Sequence, residues 1–260
     1  WYSHFKIDAE DSVEIETCND FKDFDPDIPS IGIIRLPHIA NFTDFHALMQ
    51  TGMVQAYFFD RADFLPKFDA VIIPGSKNTR EDLIWLKKNF DQGLKQFHQA
   101  EKFIFGICGG YQMLGESVAD PDGLEGVPGD TAGLGLLPVT TILKSPKTTT
   151  LSDFTLNGAA GNGYEIHMGV THRNGGKPLV RVSSRNGQPC ADHDGCISPC
   201  ETVAGTYIHG FFDTPEVLGN WLKAGSLVKQ IPKGALSWSK EKNYQLLKEH
   251  FETHVDMSLF

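Results

Sequence analysis

The chain has 260 residues, 40% of them hydrophobic and 22% charged, enough to bury roughly three quarters of the unfolded surface in one large domain or two small ones. Its 33 Asp and Glu outnumber 23 Lys and Arg, giving a formal net charge of -10 at pH 7; with no basic run, this argues against nucleic acid, whose binding rests on clustered cations. The longest apolar runs, such as Ile31 to Leu36, fall far short of the roughly 20 residues a membrane helix needs, so no membrane partner is expected.

Five cysteines in no disulfide framework and the lack of a signal peptide point to the reducing cytoplasm. Residues 1–30 are acidic and close with Pro26 and Pro29, which reads as a linker or the end of a preceding domain. The folded domain is then 31–260. Ile31 to Leu36, ended by Pro37, is a short β-branched run and predicts the first buried strand. Asn41 or Thr43 is placed to cap a helix through Met49. Val54 to Phe59 and Asp69 to Ile73 read as the next strands, the latter cut by Pro74-Gly75. Thr79 to Ala100 has helical periodicity, and Phe103 to Ile107 is a fourth apolar run, followed by the helix-compatible Tyr111 to Gly115.

Asp120 to Gly135 is rich in Gly, Pro and Asp and predicts a surface loop. Beyond it, Leu137 to Leu143, Gly163 to Val170, Leu179 to Ser183 and Val203 to Ile208 are strand-like with few helical segments between them. Thr214 with Pro215 opens a helix to Ala224, and Glu241 to Val255 predicts a terminal helix. The pattern as a whole is α/β, a sheet that is parallel at its centre with a mixed or antiparallel extension and helices on both faces.

Gly106-Ile107-Cys108-Gly109-Gly110 has the G-x-nucleophile-x-G form where a strand gives way to a helix. A nucleophile at that turn takes strained dihedrals, and the flanking glycines avoid clashes with its neighbours. Standing at a helix start, the Cys108 thiol would feel the positive end of the helix dipole, which favours thiolate. The Gly109 N–H points at a developing oxyanion, and Gly75, at another strand end, is the candidate second donor. The competing reading is a small buried cysteine beside packing glycines.

A thiolate attacking an amide needs a base that later protonates the leaving ammonia. His209 follows Val203 to Ile208 and so stands at a strand end, as Cys108 does. His167 is the next candidate, although alternation puts Glu165 and His167 on one strand face as an orienting pair.

Gly106-Ile-Cys-Gly-Gly-Tyr-Gln112, Pro74-Gly-Ser-Lys-Asn-Thr79, Gly163-Tyr-Glu-Ile-His-Met-Gly169 and Gly205-Thr-Tyr-Ile-His-Gly210 resemble the amidotransferase domain of the cobyric acid synthase family. Arg35 to Asp44 resembles that family's first strand and loop, and His4 to Ser12 the hand-over from its preceding domain. The resemblance implies a class I glutamine amidotransferase-like, flavodoxin-like open sheet that hydrolyses glutamine, supplying ammonia for ATP-dependent amidation of corrin carboxylates in cobalamin biosynthesis. It further implies Cys108 as nucleophile, His209 as its histidine and Gln112 as a contact to bound glutamine.

The acid that many class I enzymes carry two residues after the histidine is replaced here by Phe211; Asp213, Glu165 or other groups holding the imidazole are the alternatives, and the third role stays open. No G-x-x-x-x-G-K-[S/T] loop is present. No cofactor is therefore expected on this chain, and ATP and Mg belong on a preceding synthetase domain that carries the corrinoid acceptor. Cys190, His193, Cys196 and Cys200 lack the paired C-x-x-C knuckles of zinc sites, so no metal is expected. Other readings are a glutaminase serving a different amide ligase, such as one acting on cell-wall precursors, and a catalytically silent docking domain.

Overall fold

The computed structural model describes residues 18–232, 235–236 and 240–254. The His4 to Ser12 segment and Val255 lie outside them. In chain order the first strands are β1 (Ser30–Ile34), β2 (Ile39–Ala40), β3 (Gln55–Phe59), β4 (Ala70–Ile73), β5 (Gly75–Ser76), β6 (Phe103–Ile107), β7 (Ser117–Asp120) and β8 (Gly129–Ala132). The later ones are β9 (Val139–Ile142), β10 (Thr148–Leu156), β11 (Ala159–His167), β12 (Val170–Arg173), β13 (Val180–Arg185), β14 (Gln188–Asp194), β15 (Cys196–Ile197) and β16 (Val203–Thr206). The helices are α1 (His46–Gln50), α2 (Thr79–Gln99), α3 (Gly109–Leu114), α4 (Pro215–Ala224) and α5 (Lys240–His254).

The main sheet runs β15-β16-β6-β4-β1-β3, with every pair parallel except β15–β16. Its central strands are apolar at successive positions because both faces are covered. Ile31, Ile33, Ala70, Ile72, Phe105 and Ile107 join one core cluster, with Phe45, Leu48, Val217 and Trp221. Ile34, Val71, Ile73 and Ile104 join the other, with Leu83, Leu86, Phe90, Leu94 and Phe97 of α2. Those α2 positions recur at intervals of three and four, the stripe by which a helix buries one face. Asn78 starts α2 by accepting a hydrogen bond from the Glu81 N–H at 3.2 Å.

The extension consists of an antiparallel sheet β11-β10-β13-β14 and a mixed sheet β12-β9-β7-β8. The stretch expected as a surface loop from Asp120 to Gly135 contains β8, which pairs with β7 through Val118 opposite Thr131 and its neighbours. β8 is the edge strand of its sheet, and its pairing rests on β7, which is itself held by β9 on its other side. Residues 18–29 run beside β3: the Asn19 N–H donates to Phe58 O at 3.0 Å, and Phe21 packs edge-on to Tyr57 and Phe64. Among the described residues no helix is long and apolar enough to cross a membrane.

Candidate active site

Three adjacent parallel strands, β4, β6 and β16, deliver their C-terminal ends to one place, the edge of an open α/β sheet where ligands bind. Cys108 follows β6 with φ 51° and ψ -110°, a conformation that non-glycine residues rarely hold. Its N–H donates to Thr206 O at 2.8 Å, tying it to the neighbouring strand. The elbow glycines are needed for space: a methyl group on Gly110 would sit 2.0 Å from Ile73 O, and one on Gly106 would sit 2.7 Å from the Gly110 backbone. The Cys108 side chain is 7% exposed, and its Sγ lies 3.8 Å from Ile166 O. α3 is six residues long, so the dipole expected to favour the thiolate is that of a short helix.

His209 reaches the same rim from the end of β16. A methyl group on Gly75 would lie 3.2 Å from His209 Cε1 and 3.8 Å from Cys108 Cβ, so the three residues surround one small volume. The imidazole is held on several sides. Tyr164 stacks on it with centroids 5.1 Å apart, and their backbones exchange hydrogen bonds of 3.1 and 2.8 Å. Asn41 Nδ2 in turn donates to the Tyr164 hydroxyl at 3.1 Å.

The carboxylate on the imidazole is Asp44. Its Oδ2 lies 2.7 Å from His209 Nδ1, its Oδ1 accepts from the Gly210 N–H at 2.9 Å, and its side chain is buried. Burial by itself pushes the His209 pKa down, but the Asp44 charge and hydrogen bond, together with the Cys108 sulfur, raise it to about 10. Neither acid considered from sequence makes this contact. Glu165 is engaged with Ser152 at 2.7 Å and with Arg185; against the opposing effect of burial, neighbouring His167, Ser152 and Arg185 hold its carboxyl low. Asp213 sits beside Gly210. Phe211 is buried in the core, stacked on Phe154.

Asp44 lies in a 3-10 turn, Phe42–Phe45, at the far end of the chain from His209. The aspartate stood in the Arg35 to Asp44 motif, but nothing in its spacing links it to an imidazole 165 positions later.

Gly75 belongs to β5, which pairs antiparallel with β2, Gly75 opposite Ala40. Asp82, fully buried in the first turn of α2, pins both strands: it accepts from Ser76 Oγ at 2.6 Å and the His38 N–H at 3.2 Å, and lies 2.9 Å from His38 Nδ1.

Gln112 is buried, and both of its amide protons are committed. Nε2 donates to Met168 O at 3.1 Å and Tyr207 OH at 2.9 Å, while Oε1 accepts from Thr79 Oγ1 at 3.2 Å. Cys108, His209 and Gln112 line a cavity of about 230 Å³ whose wall also includes Lys77, Glu125 and Lys147. That is below the range of about 300–1,000 Å³ common for drug-sized ligands, and of a size for one amino acid.

The cysteines weighed as zinc ligands diverge. Cys190 Sγ faces Val182 O, Cys196 Sγ faces Gly175 O, and Cys200 lies between Ser198 and Thr202. Among the described residues no group of three or more His, Cys, Asp or Glu is placed to hold a metal ion.

Residues 30–217 match the model of the CobB/CobQ-like glutamine amidotransferase domain. Cobyric acid synthase of Chlorobaculum tepidum is 41% identical over 263 residues, covering 99% of this chain and 52% of that protein. Cobyric acid synthase of Limosilactobacillus reuteri is 39% identical over 265 residues, covering 99% and 53%. The chain thus spans about half the length of these curated relatives. Among solved structures, PurLQS from Thermotoga maritima superposes with a TM-score of 0.55 at 16% identity, covering 76% of this chain and 96% of that one. A glutamine amidotransferase superposes with a TM-score of 0.55 at 17% identity, covering 75% and 98%.

Proposed function

The chain belongs to the family of CobB/CobQ-like glutamine amidotransferase domains, and on that footing we propose that it is the glutaminase part of a cobyric acid synthase, with Cys108, His209 and Asp44 as its catalytic group. Its fold is that of class I glutamine amidotransferases. The observation that carries the proposal is a buried Asp44–His209 pair beside a cysteine forced to positive φ at the end of a central parallel strand.

In this reading the Cys108 sulfur attacks the amide carbon of glutamine, and the carbonyl oxygen takes up the negative charge. The Gly109 N–H, a first-turn amide without an intrahelical acceptor, donates to that oxygen, while Gly75, whose own N–H is engaged by Ala40 across the β2–β5 ribbon, leaves room beside the sulfur because it has no side chain. As the C–N bond breaks, the His209 imidazolium gives its proton to the departing ammonia, leaving a γ-glutamyl thioester. His209 then takes a proton from water, whose oxygen attacks the thioester; glutamate leaves and the sulfur is restored. Asp44 fixes the ring through Nδ1 and supports its positive charge, as the acid of a triad does. Gln112 contacts glutamine through its carbonyl oxygen.

The ammonia serves amidation of corrin side-chain carboxylates in cobalamin biosynthesis, on an ATP- and Mg-dependent synthetase domain that holds the acceptor. The lack of a phosphate-binding loop here supports that division. The five cysteines are free, which fits a cytoplasmic protein.

The test joins this chain to the synthetase half of a relative and follows amidation of a corrinoid acid with ATP. Cys108→Ala is expected to abolish amidation from glutamine and to retain it from ammonium salts. Loss of both, or retention of the glutamine-dependent reaction, contradicts the proposal.

A further inference from the structure

We propose that Asp194 is a positioning residue for His209: its carboxylate, delivered by the antiparallel extension, fixes the backbone that carries the imidazole from the end of β16 to the Cys108 sulfur. The proposal rests on the glutaminase reading and adds to it a residue that lines no part of the cavity.

β16 ends at Thr206, so the N–H groups of Tyr207, Ile208 and His209 lie beyond the strand, and buried donors there need other acceptors. Asp194 Oδ2 accepts from the Tyr207 N–H at 3.0 Å and from the Thr206 hydroxyl. That hydroxyl oxygen accepts in turn from the Ile208 N–H at 3.1 Å, and Tyr164 O accepts from the His209 N–H at 2.8 Å. The Tyr207 and Ile208 donors thus both depend on one carboxylate oxygen, the second because Asp194 sets which way the Thr206 hydroxyl points. Thr206 O also accepts from the Cys108 N–H at 2.8 Å, so the residue that Asp194 grips touches both members of the Cys108–His209 pair.

Asp194 is placed for this where the chain passes from one sheet to the other. It closes β14, with Val180 opposite it and the Leu179 N–H donating to its carbonyl at 3.1 Å; two residues later Cys196 pairs with Gly205 of β16. Gly195 makes the crossing with φ 73°, and a methyl group there would sit 2.2 Å from Gly205 O. Asp194 is buried, and burial pushes its carboxyl up to about 6 against the Thr206 and Tyr207 hydrogen bonds. An apolar side chain in the same space would carry no such cost. The Tyr207 ring, whose hydroxyl holds Gln112, is fixed independently by Thr171 and by His167, stacked with centroids 3.7 Å apart. Loss of Asp194 therefore displaces His209 more than it displaces Gln112.

The test measures glutamine hydrolysis by this chain joined to the synthetase half of a relative, with Asp194→Ala, Asp194→Asn, Thr206→Val and Thr206→Ser. Thr206→Val nearly keeps the side-chain shape and leaves the Tyr207 N–H on Asp194, which keeps the test decisive should Asp194→Ala fail to fold. Both Asp194→Ala and Thr206→Val are expected to lower kcat by about 10–100-fold while KM changes by less than about threefold. Thr206→Ser keeps the hydroxyl, and the single carbonyl oxygen of Asp194→Asn can accept both hydrogen bonds, so each should recover most of that rate. Unchanged kcat in Thr206→Val and in folded Asp194→Ala overturns the inference while the glutaminase reading stands. So does a KM that rises as far as kcat falls, or no recovery in either conservative variant. If the unmutated chain hydrolyses no glutamine, the glutaminase reading falls and this inference with it.

Discussion

The imidazole of His209 is where electrostatics and mechanism meet. Held by Asp44 and bordered by Cys108, it has its pKa raised to about 10, so the imidazolium is its resting form across neutral pH. Because its folded pKa stands above the unfolded value of about 6.5, the pair's contribution to stability is complete below that value and is lost as pH rises through about 10. Asp44→Asn keeps an acceptor for the Gly210 N–H but removes the charge. It is expected to lower glutaminase kcat by about 10²–10⁴-fold and to move the alkaline limb of the kcat/KM profile to lower pH. A profile that does not move would show the charge to be structural only. Asp44 is also the residue that sequence reading missed. Cys108 is legible because its glycines are adjacent in sequence and follow an apolar run. The Asp44–His209 contact is made only by folding, and neither residue's neighbours encode it.

At the scale of elements, the strand runs of the first half are readable because both sheet faces are buried, so Phe103 to Ile107 is apolar throughout. The later strands are harder. β10 is Thr-Thr-Thr-Leu-Ser-Asp-Phe-Thr-Leu and β14 Gln-Pro-Cys-Ala-Asp-His-Asp, with few buried positions and stability drawn from cross-strand pairing. The β2–β5 ribbon is two residues a side and has no periodicity to detect; Asp82 holds it from α2. Asp82→Ala strips a buried acceptor from Ser76 and His38, with an expected loss of about 1–3 kcal/mol in denaturant unfolding. Since the ribbon carries Gly75 beside the sulfur, kcat should fall more than KM rises. A variant that loses stability with kinetics intact would detach the ribbon from catalysis.

At the scale of the molecule, the α/β class and the parallel centre follow from where apolar runs and helical periods fall, while the antiparallel extension shows in sequence only as a scarcity of helices. The fold serves the site by bringing three neighbouring strand ends to Gly75, Cys108 and His209, each from a different stretch of chain. The central claim is that glutamine passes through a thioester on one of five cysteines. Acid-quenching the chain during turnover of isotopically labelled glutamine and mapping its peptides by mass spectrometry tests this most directly. The account predicts a glutamyl adduct on Cys108 that disappears in Cys108→Ser. An adduct on Cys18, Cys190, Cys196 or Cys200 with Cys108 unmodified, or glutamate formed with no adduct on any cysteine, would contradict it.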